Sequence, residues 1–185
     1  MGLTYTSSRA RIRPVPPPAA AMPIEPADFR RALAQFASGV TAVTTRDGSG
    51  RPLGLTVTAF SSVSLEPPLV LICVDERSET HAGFRDSGLF GVSVLAEGQE
   101  EISRRFAGSG PAKFETTELV AGSTGVPLVA GALAYLECRV VAAHAAGDHT
   151  IYVGEIVVLT AREGRPLVYN QGRYRRLEPG KGDRA

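Results

Sequence analysis

Two long runs of strand-forming residues, joined by a short segment, constrain the fold of this chain more than any other feature. Leu133–Ala142 and Thr150–Thr160 each have the length and composition of a strand. The segment between them, His144–His149, contains a Gly-Asp pair and is short enough to close a hairpin. We therefore expect a long antiparallel pair in the C-terminal third of the chain.

The rest of the chain shows several shorter strands and few helices. Helical spacing is limited to Phe29, Leu33 and Phe36, with an expected end near Ser38, and to two later stretches. Those stretches are His81–Asp86 and Gln99–Phe106, and the expected strands are Val40–Thr45, Leu53–Phe60, Leu69–Val74, Leu89–Leu95 and Leu167–Tyr169. Closely spaced strands with few short helices are typical of a barrel or a sandwich, and not of an alternating Rossmann sheet. The predicted fold class is mainly β.

Proline density separates the start of the chain from the remainder. Six prolines lie between residues 14 and 26, and the first acidic residue is Glu25. Proline removes backbone donors and fixes φ, so this stretch is typical of a disordered segment. The sequence predicts a disordered tail over residues 1–25, one domain over residues 26–178, and a flexible tail over residues 179–185.

Composition excludes several functional classes. The net charge is +1, which does not indicate a basic surface for nucleic acid. No apolar stretch approaches the roughly 20 residues that span a bilayer, so we expect no membrane segment. The two cysteines, Cys73 and Cys138, form no CxxC pair, which favours a reducing, cytoplasmic setting and no zinc site. Three histidines in expected loops or helix starts do not indicate any other metal site.

One segment is unusually rich in hydroxyl groups. Thr56–Ser64 carries five Ser or Thr side chains in nine residues at the end of an expected strand. One interpretation is a half-exposed strand whose hydroxyls face water. The other is a polar ledge whose hydroxyls and backbone N–H groups bind a planar heterocycle and a phosphate.

Two further clusters carry charged side chains. In Cys73–Thr80 an apolar strand ends in charged residues, and Ser78 either caps a helix or helps Arg77 and Thr80 to hold a phosphate. In the other, Arg104-Arg105-Phe106, guanidinium groups lie beside an aromatic residue, which by itself is most often a solvated helix end.

Taken in order, several motifs resemble a known family. They run from about residue 26 to residue 177 and comprise Phe36–Thr41, Gly54–Val70, Phe90–Leu95, Arg105–Ala107, Gly147–His149 and Pro166–Tyr174. This ordered set is similar to the flavin reductase-like family of FMN-binding split barrels. Among them it most resembles the small reductase components of two-component flavin-dependent monooxygenases.

The resemblance implies a homodimer of split β-barrels with a few short peripheral helices. It implies hydride transfer from NADH or NADPH to the N5 atom of FMN or FAD, and delivery of the reduced flavin to a partner monooxygenase. A flavin-binding electron-transfer or storage protein that retains FMN is the alternative. The cofactor supplies this chemistry, so no catalytic dyad is required of the protein.

The resemblance also assigns site residues. The flavin ring is expected against Pro52, Gly54, Leu55, Thr56, Thr58 and Ala59. The ribityl and phosphate groups are expected near Cys73, Val74, Asp75, Ser78, Glu79, Thr80, Arg105 and Phe106. The nicotinamide side is expected near Tyr169, Asn170, Gly172 and Tyr174, with His149 as the candidate catalytic residue. A plain loop histidine closing the hairpin is the alternative role of His149.

Overall fold

The computed structural model describes residues 23–178. The predicted tails fall almost wholly outside this range, because residues 1–22 and 179–185 are not among the described residues. The helices are α1 (Pro26–Leu33), α2 (Thr80–Ser87), α3 (Glu100–Phe106) and α4 (Ala112–Glu115). The strands are β1 (Ser38–Gly39), β2 (Thr41–Arg46), β3 (Pro52–Val57), β4 (Phe60–Ser64), β5 (Leu69–Asp75), β6 (Leu89–Val94), β7 (Leu119–Ala121), β8 (Pro127–Val129), β9 (Ala134–Ala146), β10 (His149–Ala161), β11 (Val168–Asn170) and β12 (Arg173–Arg175).

Seven antiparallel strands form the main sheet, in the order β3-β2-β6-β9-β10-β5-β4. Its two edge strands, β3 and β4, are joined only by Thr58 and Ala59. Val57 of β3 and Ile72 of β5 belong to one buried cluster although they come from opposite ends of the strand order. The sheet therefore curls around this cluster, which confirms the predicted mainly β, split-barrel architecture. The seam of the barrel lies between β3 and β5.

Helix α2 contributes the aromatic centre of this core. The Phe84 ring is fully buried and contacts Phe90 and Tyr152, with ring centroids 6.0 and 5.0 Å apart. Gly154 allows the close approach of β10, because a Cβ atom there would lie 2.4 Å from the Phe90 ring. Burial of one such side chain contributes about 1.5–3 kcal/mol.

A second core lies on the opposite face of β2. Ala42 belongs to this cluster while its neighbour Val43 belongs to the first, so successive β2 side chains face two cores. Phe106 of α3 and Leu167 complete the second cluster. Two small sheets accompany it, β1-β11-β12 and β7-β8.

Two boundaries differ clearly from the sequence-based expectation. The first helix ends at Leu33 and not near Ser38, because Ser38 pairs with Tyr169 in β1. The expected strand Leu53–Phe60 is interrupted at Thr58 and Ala59, where the chain crosses from one edge of the sheet to the other. Within residues 23–178, no helix is long and apolar enough to cross a membrane.

The central hairpin is longer than expected. Ala146 pairs with His149, so the turn is only Gly147 and Asp148 and not the six-residue segment. Gly147 has φ +70°, the conformation that a type II′ hairpin turn requires at its first central residue. His149 therefore begins a strand and does not lie in a loop.

Candidate functional site

A groove of about 430 Å³ opens beside the seam of the barrel. On β5 the side chains of Ile72 and Val74 point into the core, so Leu71, Cys73 and Asp75 point outward. Its size lies within the range of roughly 300–1,000 Å³ that is usual for small-molecule and cofactor sites. The groove is lined by Leu33, Ala34, Phe36, Ser38, Thr58, Ala59, Phe60, Ser61, Leu71, Cys73, Tyr169, Asn170, Gln171 and Gly172.

Sheet edges supply polar groups to this groove. Strands β3 and β4 are the edges of the main sheet, and an edge strand presents a row of backbone N–H and C=O groups that no neighbouring strand pairs. The link between them is fixed to β5, because the Cys73 N–H donates to the Ala59 carbonyl at 3.1 Å. The exposed Thr58 hydroxyl adds a side-chain donor at the same place.

A second cavity of about 190 Å³ adjoins the groove and shares Thr58 and Tyr169 with it. Its other lining residues are Val40, Thr56, Ser103, Ala107 and Tyr174. The Tyr174 hydroxyl donates to Ser103 Oγ at 2.8 Å, and Thr56 Oγ1 donates to the Ser103 carbonyl at 2.6 Å. These bonds hold α3, β3 and β12 against one another around the cavity.

His149 lies on the same face of the sheet as the groove. It pairs with Asp75 across β10 and β5, and residues opposite one another in an antiparallel pair share a face. Asp75 is two residues, or about 7 Å, along the strand from Cys73 in the groove. His149 Nδ1 lies 2.7 Å from Asp148 Oδ1, and its side chain is 42% exposed.

Two carboxylates surround His149. Hydrogen bonds from the Arg77 side chain and backbone, with smaller charge effects of Arg77 and His149, hold the pKa of Asp75 well below its usual range. The hydrogen bond with His149 lowers the pKa of Asp148. Both carboxylates are therefore ionised at neutral pH and can only accept hydrogen bonds. This favours donation from Nδ1 of the imidazole to Asp148.

The residues expected near the phosphate are spread around the start of α2. Ser78 Oγ accepts a hydrogen bond from the Thr80 N–H at 3.2 Å, one residue before the N-cap residue Glu79, whose own side chain makes no capping bond. Glu79 and Thr80 line a narrow cleft with Pro52 and Gly54. Lys113 also lines this cleft, which sequence reasoning missed because no motif marks this lysine.

Lys113 ties two loops together from that position. Its Nζ donates to the carbonyls of Gly54 and Gly108 at 2.9 and 2.7 Å. Burial lowers the pKa of Lys113, and the charge of Glu79 partly offsets this effect. Nζ carries three donors, so one remains beyond these two bonds.

Arg105 is more firmly held than a solvated helix end. Its guanidinium donates to the Thr116 carbonyl at 2.7 Å and to Glu101 at 2.8 Å, and the side chain is only 33% exposed. Two of its five N–H donors are used in this way, which leaves others for a ligand.

Three residues expected in the site turn their side chains into a core. Val74 and Phe106 are at most 1% exposed, and Leu55 packs against the first cluster. The Phe106 ring packs on Phe114, with centroids 5.3 Å apart. None of these three residues lines the groove, the second cavity or the cleft at the start of α2.

The structure brings most of the other expected residues to the three cavities. Thr58, Ala59, Cys73, Tyr169, Asn170 and Gly172 line the groove, Thr56 and Tyr174 line the second cavity, and Pro52, Gly54, Glu79 and Thr80 line the cleft. Asp75, Ser78, Arg105 and His149 line none of these three. Phe36, Leu71 and Ser103 line cavities but were not expected there. Phe36 belonged to a matching motif without an assigned role, whereas for Leu71 and Ser103 only neighbours in the chain carried a signal. Among residues 23–178, no group of three or more His, Cys, Asp or Glu side chains is placed to hold a metal ion.

An antiparallel barrel with polar strand edges and a groove of cofactor size is suited to binding a small-molecule cofactor at the seam of the barrel. A family model described as "Flavin reductase like domain" matches residues 33–178. The chain belongs to the flavin reductase-like family.

Similar proteins cover most of the chain. An NADH-dependent flavin reductase from Rhodococcus sp. is 44% identical over 157 residues, 84% of this chain and 88% of that protein. The reductase component of 4-hydroxyphenylacetate 3-monooxygenase from Thermus thermophilus is 48% identical over 150 residues, 80% of this chain and 95% of that protein. The structure of an NADH:FAD oxidoreductase from Streptomyces globisporus superposes with a TM-score of 0.79 at 40% identity, covering 87% of this chain and 99% of that one.

Proposed function

We propose that this protein is an NAD(P)H:flavin oxidoreductase that reduces FMN or FAD and delivers the reduced flavin to a partner monooxygenase. The observation that carries the proposal is that the groove and His149 lie on the same face of the sheet. They are about two residues apart along the strand direction. When bound, the flavin supplies the ring that accepts a hydride from the nicotinamide. The protein has to bind, orient and desolvate the two ligands.

The groove fits a flavin in size and in chemistry. Phe36 and Tyr169 supply apolar walls for a planar ring, and the strand edges supply N–H donors for its heteroatoms. Thr58, which lines the groove, is our candidate for contacting either the ring or the ribityl chain. We assign phosphate binding to the start of α2, with Lys113 of the adjoining cleft and Arg105 as its candidate cations.

His149 is the candidate for orienting the nicotinamide. Asp148 accepts from the Nδ1–H group, so the other ring nitrogen, Nε2, is an acceptor in the neutral imidazole. An acceptor at Nε2 is suited to the carboxamide N–H group of a nicotinamide. This role concerns the binding of NADH or NADPH and not that of the flavin.

The relatives favour turnover over storage of flavin. Relatives are named as NADH-dependent reductases or as reductase components of monooxygenases. A storage protein would retain flavin in stoichiometric amount without oxidising NADH. These names therefore argue against the alternative of an electron-transfer or storage protein.

Steady-state oxidation of NADH and NADPH with FMN, FAD and riboflavin tests the proposed activity. We expect rapid oxidation that depends on added flavin, with NADH preferred. Stoichiometric flavin that remains with the purified protein, without flavin-dependent oxidation of either nicotinamide, would overturn the proposal.

We also propose that the protein is a cytoplasmic homodimer. Helix α1 has no buried residue, and its Phe29 and Leu33 side chains are more than half exposed. Phe36, beyond the helix, is 78% exposed although it lines the groove. A second copy would cover these side chains. Within residues 23–178 both cysteines are free thiols, in keeping with a reducing compartment.

A further inference from the structure

We propose that the second cavity, between α3 and β12, binds the adenine ring of a dinucleotide, contributed by FAD or by NADH. This inference rests on the proposed function, because it names a part of the ligand that the same site takes.

The size of the cavity indicates one ring system. At about 190 Å³ it is smaller than a whole small-molecule site, so it is suited to one end of an extended ligand. Thr58 and Tyr169 line both this cavity and the groove. A dinucleotide with one ring in the groove therefore has a continuous path for its second ring.

The walls of the cavity are aromatic and fixed. The rings of Tyr169 and Tyr174 meet edge to face with centroids 5.3 Å apart. The bond from the Tyr174 hydroxyl to the buried Ser103 holds one ring in place. Purines stack on aromatic faces of this kind, and a fixed ring loses little freedom when they do.

A guanidinium group lies beside the same rings. The Arg104 Cζ atom is 5.0 Å from the centroid of the Tyr174 ring. Guanidinium planes and aromatic faces together are a recurring platform for bases.

The charge of Arg104 is already matched by a carboxylate. Arg104 Nη2 lies 2.6 Å from Glu100 Oε1. The hydroxyls of Thr56 and Tyr174 are also spent on Ser103. The cavity therefore favours an uncharged ring over a phosphate group.

Two measured ratios distinguish the two possible sources of the adenine ring, FAD and NADH. The first is the dissociation constant of FMN divided by that of FAD, measured by flavin fluorescence without nicotinamide, with riboflavin as reference. The second is the KM of reduced nicotinamide mononucleotide divided by that of NADH, measured with riboflavin as acceptor. A stacked base changes affinity between about fivefold and a hundredfold, so we expect one ratio to be at least five in the unaltered protein.

Substitutions test whether the elevated ratio, whichever of the two it is, depends on the cavity. Tyr174→Leu should bring the elevated ratio close to one, whereas Tyr174→Phe, which keeps the aromatic face, should preserve it. Arg104→Met should lower it by a smaller factor without touching the cavity wall. If Tyr174→Leu fails to fold, as circular dichroism would show, the Arg104→Met result decides.

Three results would overturn the adenine assignment. One is a value near one for both ratios in the unaltered protein. Another is an elevated ratio that neither Tyr174→Leu nor Arg104→Met changes. The last is an equal weakening of riboflavin and FAD by Tyr174→Leu, which would place the flavin ring in this cavity. Failure of the proposed function is distinct, since NADH oxidation with riboflavin would then be absent altogether.

Discussion

Asp148, in the turn of the hairpin, holds the imidazole of His149 by a hydrogen bond. The effect of removing this imidazole on ligand binding can therefore be predicted. We expect His149→Ala to raise the KM for NADH between about twofold and tenfold, the effect of one hydrogen bond. The flavin dissociation constants should stay nearly unchanged, because His149 does not line the groove. His144→Ala, at an exposed position of the same hairpin, is the matched control for steady-state kinetics. An equal loss of flavin affinity in His149→Ala would contradict the nicotinamide role.

Arg105 has free donors beyond its bonds to Thr116 and Glu101. If these meet the flavin phosphate, Arg105→Ala should weaken FMN roughly ten- to a hundredfold and riboflavin much less, since riboflavin has no phosphate. Fluorescence titration of both flavins measures this difference. Arg139→Ala, at another surface ion pair, controls for the loss of a cation. Equal losses for FMN and riboflavin would leave Arg105 with only its structural contacts.

At the scale of elements, a buried carboxylate fixes the loop between β7 and β8. Glu137 of β9 is 3% exposed and accepts from the Ser123 N–H at 2.8 Å and from the N–H and hydroxyl of Thr124 at 2.6 and 2.5 Å. Burial alone would raise the pKa of Glu137, but these bonds outweigh it, so the pKa lies below its usual value. A lowered pKa stabilises the fold above the ordinary glutamate pKa of about 4.3, and this contribution is lost as the pH falls through the folded-state value.

Glu137→Gln should therefore lower the free energy of unfolding by about 2 kcal/mol at pH 7, and by less at pH 4. Urea unfolding at both pH values measures this change. Glu155→Gln, at a partly exposed surface ion pair, should have a much smaller effect. An effect of Glu137→Gln that does not shrink toward acid pH would show that the charge of Glu137 is not what stabilises the loop.

The turn of the central hairpin requires glycine because of its backbone conformation, and not because a side chain would clash with its surroundings. Gly147 has φ +70°, and a Cβ atom there would meet nothing within 4 Å. Gly147→Ala should therefore cost about 1–2 kcal/mol of unfolding free energy through backbone conformation alone. Gly48→Ala, in an exposed turn with equally open space and no positive φ, should cost less. Thermal unfolding of both variants compares them, and equal costs would contradict this explanation.

Local patterns predicted the elements well where packing agrees with them. The apolar run Leu69–Val74 became β5 with one added residue, since alternate side chains face the core. Local patterns failed where residues distant in the chain determine the secondary structure. Ser38 joins a strand because it pairs with Tyr169, and Thr58 and Ala59 span the seam. The second cavity combines side chains from β3, α3, β11 and β12, a juxtaposition that no local spacing encodes. The site residues that the sequence predicted came from ordered motifs. Ser103 and Lys113 could be recognised only from the fold, which brings them to the cavities.

At the scale of the whole molecule, helix α1 exposes the apolar side chains Phe29 and Leu33 beside the groove, which favours a partner that covers them. Phe29 is 57% exposed on α1, and burial of one such side chain contributes about 1.5–3 kcal/mol. Closed twofold assemblies are the commonest soluble homo-oligomers. We therefore expect light scattering to give twice the chain mass of 19.5 kDa at micromolar concentration.

Phe29→Asp should weaken this dimer at least tenfold, because it places a charge where an apolar surface is covered. Val120→Asp changes a similarly exposed apolar residue on β7, away from α1, and serves as the control. Since Phe36 in the groove should be covered by the same contact, dissociation should also raise the flavin dissociation constant. A mass of 19.5 kDa for the unaltered protein would contradict dimerisation. A dimer that survives Phe29→Asp unchanged would place the interface elsewhere than α1.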